Sequence, residues 1–105
     1  MTYRKVLTLD QLWAGEKVGL LVDGKKILLI NIEQTIYAYE DRCAHQAVIL
    51  SNGRLEGHVL TCRVHEWQYD ACTGEGINPI GVRLQSFPVK LEGEDIYVDV
   101  AESKN

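Results

Sequence analysis

The chain reads as an all-β domain, and three observations predict it. Short runs of β-branched, aromatic or leucine-rich residues recur along its length, at 3–7, 17–22, 25–32, 35–39, 57–61, 67–70, 87–91 and 95–100. Turn chemistry separates them, at Asp23-Gly24, Glu33-Gln34, Asn52-Gly53 and Glu92-Gly93-Glu94. No helix of the kind that joins parallel strands in a βαβ unit stands between them. Many short strands at regular turns predict an antiparallel β-sandwich or partial barrel.

The elements follow in order. Residues 3–7 alternate as a strand, and Thr8 is a capping residue for one helical turn through Trp13, which Gly15 ends. Asp23-Gly24 is the strongest hairpin signal and joins the strands 17–22 and 25–32. Glu33-Gln34 turns the chain again, and 35–39 leads towards Cys43. After Asn52-Gly53 the strand 57–61, including His58 as a strand-surface or satisfied core histidine, runs into Cys62. Residues 67–70 form a strand, 73–79 a loop dense in breakers, and 87–91 with 95–100 a C-terminal hairpin. The tail 101–105 is polar.

With 105 residues, 46% of them hydrophobic, one domain spanning 1–105 is expected, able to bury a core without disulfides. The three cysteines are an odd number and suit a reducing compartment. Residues 1–13 hold no unbroken apolar run, so no signal peptide is read, and no stretch of about 18 apolar residues marks a membrane anchor. The expectation is a cytoplasmic protein. A formal charge of −4 argues against a nucleic-acid surface and fits either plain solubility or acidic docking to partners.

Two peptides carry the chemistry. Cys43-Ala44-His45 and Cys62-Arg63-Val64-His65, separated by 16 residues, each offer one thiolate and one imidazole. Such a matched pair of loops is the ligand set of one metal site. Structural zinc favours two to four residues between paired ligands, whereas Cys43 and His45 have one between them, which points away from a zinc staple. In a Rieske-type [2Fe-2S] centre two Cys hold one iron and two His the other, one of each from each loop.

The motif C-x-H followed by C-x-x-H resembles the Rieske signature. The run from Cys62 to Pro79, with Trp67 and the Gly-Ile-Asn-Pro loop at 76–79, is similar to the Rieske ferredoxins of toluene and related aromatic monooxygenases. Ala44 stands where many Rieske proteins carry Pro. The resemblance implies a β-sandwich with the cluster held at one tip by two loops, and Cys43, His45, Cys62 and His65 as its ligands. It implies a monomeric one-electron carrier, not an enzyme, moving electrons from a flavin-containing NADH reductase to an oxygenase, through transient contacts. The expected oxygenase is a diiron hydroxylase acting on aromatics. Alternatives are the ferredoxin of an aromatic-ring dioxygenase and a redox-sensing regulatory module.

Four thiolates give an oxidised cluster about two negative charges, and this mixed set gives about none, so reduction is easier and the potential falls within about −150 to +300 mV. High-potential relatives carry Ser at the position of Trp67 and a disulfide between the loops; this chain has neither, which predicts a value low in that window. By the same resemblance the loop 73–79 covers the cluster's open side, and Tyr69 bonds a ligand sulfur or packs as a strand tyrosine. Trp67 meets a partner or packs beside the cluster, and Cys72 is an ordinary thiol. With His45 and His65 as ligands, the potential is expected to fall with rising pH in the alkaline range.

Overall fold

The structure is a computed structural model that describes residues 3–43, 49–64 and 66–100. Both histidines of the motif and the tail 101–105 lie outside the described residues. The described strands are β1 (Tyr3–Thr8), β2 (Lys17–Val22), β3 (Lys25–Ile32), β4 (Thr35–Glu40), β5 (Arg54–Glu56), β6 (Val59–Thr61), β7 (Gln68–Asp70), β8 (Gly76–Asn78), β9 (Ser86–Phe87), β10 (Val89–Glu92) and β11 (Asp95–Asp99). The all-β prediction holds.

The hairpin turns form where the sequence asks for them. Asp23 and Gly24 take φ of 49° and 81°, the left-handed pair that matches strand twist in a two-residue hairpin. Glu33 and Gln34 take the same conformation at 51° and 74° without a glycine. Here the Gln34 N–H donates to Asn31 Oδ1 at 2.9 Å, and buried Asn31 in turn donates from Nδ2 to the Leu12 carbonyl at 2.8 Å. Ahead of β2, the Thr8 N–H donates to Gln11 Oε1 at 3.1 Å and starts the 3-10 turn Leu9–Gln11.

Three antiparallel sheets result, in the orders β1-β11-β10, β2-β3-β4-β9 and β5-β6-β7-β8. The second is central, because β3 is buried on both faces. Ile27 and Leu29 join Ile96, Val98 and Phe87 in one core, whereas Leu28, Ile30 and Ile32 join Leu50, Leu60, Tyr69, Cys43 and Cys62 in the other. The unbroken apolar run of β3 is therefore a strand with two dry sides. The predicted sandwich is thus double, and the candidate ligands lie in the core between the central sheet and β5–β8.

Three readings change. Asn52-Gly53 does not turn a hairpin: it closes a 3-10 turn, Leu50–Asn52, and is followed by β5, which the sequence reading missed. The hairpin turn is Gly57-His58, so His58 is exposed in a turn, and the strand assigned to 57–61 begins at Val59. The breaker-rich 73–79 contains β8, paired to β7 at Gln68↔Asn78 and Tyr69↔Gly76. The arm 87–91 is two strands. Pro88 has no N–H for a ladder, and at it the chain passes from β9, paired with β4, to β10, paired with β11.

Tyr39 ties the central sheet to the third: its buried hydroxyl donates to the Ala71 carbonyl at 2.7 Å. Burial pushes its pKa up, with Cys72 and Tyr37 adding to the shift. A phenol held protonated in the fold stabilises fully below the ordinary tyrosine pKa of about 10, and that stability falls as pH rises beyond it, because the unfolded chain ionises first. Tyr39→Phe should cost about 1–2 kcal/mol in denaturant unfolding at neutral pH and flatten the decline above about pH 10.

Candidate metal centre

The first loop leaves the central sheet at Glu40. The Asp41 N–H donates to the Lys26 carbonyl at 2.9 Å, carrying the β3–β4 ladder one step past the strand. Two residues on, Cys43 is fully buried. The chain returns through Leu50–Asn52, where the Gly53 N–H donates to the Leu50 carbonyl at 2.8 Å. The two ends meet directly: the Ser51 N–H and hydroxyl donate to Asp41 Oδ1 and Oδ2, each at 2.8 Å. Lys17 Nζ caps the Ser51 carbonyl at 2.6 Å.

The second loop is the tip of the β6–β7 hairpin. Its ladder ends at Thr61↔Gln68, and the Cys62 N–H adds a bond to the Trp67 carbonyl at 2.7 Å. Glu66 takes φ of 52° to make that turn. Cys62 is fully buried. Gly53 sets the loops against each other, for a Cβ there would collide with the Thr61 carbonyl, one residue before Cys62.

At the meeting point Tyr69, fully buried on β7, places its hydroxyl 3.1 Å from Cys43 Sγ. A thiolate there leaves the hydroxyl only the donor role. The Cys62 thiol is pushed up first by burial and further by the Cys43 side chain it meets, while a hydrogen bond from the Val64 backbone pulls it down. Each sulfur thus has one donor from the chain, and both sit in a dry core. These are the conditions under which soft thiolate ligands are held and tuned. Among the described residues no three His, Cys, Asp or Glu side chains gather as a further metal site.

The sequence candidates separate cleanly. Cys43 and Cys62 come together, and Tyr69 both packs in the core and reaches a sulfur. Trp67 is half-buried against that core. Cys72 follows β7 at the end of the ladder opposite Cys62, where its contact with the Tyr37 hydroxyl is the largest cause of that phenol's raised pKa. Pro79 and Ile80 follow β8 at the ligand-loop end, since Asn78 pairs with Gln68, and Ile80 is exposed. Asp41, Ser51, Gly19 and Gly53 escaped the sequence reading. No local pattern announces a bond between positions 41 and 51.

The family model of the Rieske [2Fe-2S] domain matches residues 2–88. The ferredoxin component of the alkene monooxygenase system of Xanthobacter autotrophicus (strain ATCC BAA-1158 / Py2) is 43% identical over 97 residues, covering 91% of this chain and 80% of that protein. The ferredoxin component of the naphthalene 1,2-dioxygenase system of Pseudomonas aeruginosa is 35% identical over 88 residues, covering 83% and 85%. A chain in a solved complex of reduced oxygenase and oxidized ferredoxin in carbazole 1,9a-dioxygenase superposes with a TM-score of 0.89 at 28% identity, over 98% of this chain and 96% of that one. With its thiol pair in one dry core and its match along most of its length, the chain belongs to the Rieske [2Fe-2S] domain family, whose cofactor is one Rieske-type [2Fe-2S] cluster.

Proposed function

We propose that the chain is the ferredoxin component of a multicomponent oxygenase system, with Cys43 and Cys62 as the thiolate ligands of one iron and His45 and His65 as the imidazole ligands of the other. The observation that carries this reading is the meeting of two buried sulfurs from two separate loops, each supplied with a hydrogen-bond donor. When bound, the cluster supplies one-electron exchange. The chain's residues do the rest: the core excludes water from the sulfurs, and Tyr69 and Val64 donate towards them.

Carriage rather than catalysis follows from the ligand count. A mononuclear oxygenase iron takes two His and a carboxylate, and His58, exposed in its turn, is the one histidine left over. The electron donor is read as a flavin-containing NADH reductase and the acceptor as the hydroxylase of a monooxygenase, a diiron enzyme acting on aromatics by the sequence resemblance. The 43% identity to an alkene monooxygenase ferredoxin favours the monooxygenase side. A second reading, service to an aromatic-ring dioxygenase, is favoured by the naphthalene dioxygenase relative. Turnover after reconstitution with each oxygenase type discriminates the two.

The chain is taken as one domain over 1–105, monomeric and cytoplasmic, with short-lived contacts at the low end of about 1,200 Å². No helix of the structure is long and apolar enough to cross a membrane.

Iron and inorganic sulfide analysis should return about two of each per chain, and the reduced protein should give the low-temperature EPR pattern of mixed His and Cys ligation; redox-inert zinc would overturn the assignment. The midpoint should lie below zero millivolts. Removing a donor from a ligand sulfur disfavours the electron-rich state, so Tyr69→Phe should lower the midpoint by about 40 mV, the equivalent of about 1 kcal/mol. Cys72→Ser should leave the EPR spectrum unchanged.

A further inference from the structure

The two ligand loops are closed at their bases by different means. The second is the tip of a hairpin, so ladder bonds between β6 and β7 run up to Cys62 and Trp67. The first has no such ladder, because it leaves β4 in the central sheet and re-enters through β5 in the third. The ladder that would hold its ends together is replaced by one side chain. Asp41, fully enclosed at 5% exposure, accepts from both donors of Ser51, and two donors on a two-oxygen acceptor hold position and orientation together.

The neighbourhood is cut to fit this pair. Gly19 on β2 lies beneath it, where a Cβ would stand 2.6 Å from Ser51 Oγ and 2.7 Å from Asp41 Oδ2. Lys17, on the same strand, holds the Ser51 carbonyl. The pair is thus pinned to the central sheet, two residues before the buried Cys43 sulfur and its contact with Tyr69.

We infer that Asp41 and Ser51, seated over Gly19, form a clamp that positions the first ligand loop and so holds the Cys43 sulfur under the Tyr69 hydroxyl. Asp41 and Ser51 are positioning residues. The clamp rests on the ligand assignment above, and it goes beyond that assignment by naming what keeps half of the ligand set in register.

The test compares the holoprotein with Asp41→Asn, Ser51→Ala and Gly19→Ala, each with and without Tyr69→Phe. Two readouts are taken: the rate at which a ferrous chelator bleaches the cluster, and the midpoint potential. Each clamp variant should bleach about tenfold faster, as loss of a charge-assisted hydrogen bond implies. The potential shift caused by Tyr69→Phe should shrink by more than half in the clamp variants. A clamp that merely adds stability would leave that shift undiminished, and an undiminished shift overturns the proposal, as does bleaching at the wild-type rate. Gly19→Ala keeps both clamp residues and asks only the Ser51 hydroxyl to swing away, so it decides the matter if Asp41→Asn does not fold. A wild-type chain lacking iron and sulfide refutes the ligand assignment and the clamp together, whereas a normal cluster with an undiminished Tyr69 shift refutes the clamp alone.

Discussion

The structure depends on bringing two sulfurs, 19 positions apart in the chain, into one dry space between two sheets. Neither loop can do so alone, because each offers one thiol. A sheet buried on one face would not suffice either, since the strands that lead to the loops must themselves be anchored. β3 meets that need by burying both faces: Ile27 and Leu29 hold the N- and C-terminal strands, and Leu28, Ile30 and Ile32 form the wall against which the cysteine-bearing elements pack. Close packing transmits small displacements, so a wall of this kind fixes the loops as well as the strands.

What was legible in the sequence was whatever local chemistry dictates. The motif showed itself because four residues of two uncommon kinds stood in a matched spacing, and Asp23-Gly24 made its hairpin because left-handed backbone is cheap there. The illegible parts are set by tertiary structure. Arg54-Leu55-Glu56 carries two charges around one apolar residue and becomes a strand only through its pairing with Val59–Thr61. Gly76–Asn78 looked like a loop because glycine and proline punctuate it, yet β7 offered it an open edge. The run 87–91 looked continuous, although its proline could not serve one ladder throughout.

The site divides along the same line. Cys43 and Cys62 declared themselves, and Tyr69 was placed by its position in the motif. The hydroxyl at 3.1 Å from Cys43 shows that its two readings were one, since a fully buried phenol needs a partner and a sulfur supplies it. The Asp41–Ser51 pair was hidden because neither residue belongs to the motif. Short polar side chains usually serve their own turns, and nothing in the sequence distinguishes that local use from a bond across ten positions.

Enclosure of the two cysteines also bears on how the fold and its cofactor depend on each other. Without metal, burial pushes the Cys62 thiol up, and Cys43 beside it pushes further, so the bare fold disfavours the thiolates that iron requires. The donors from Val64 and Tyr69 offset only part of that cost. Two thiolates gain their charge partner only from ferric iron, and the mixed ligand set leaves the oxidised assembly near neutral, about the lowest charge that can be placed in a dry core. Cluster binding therefore releases protons and stabilises the folded chain in one step. The same enclosure that makes the empty thiols hard to ionise thus makes the filled site hard to unload.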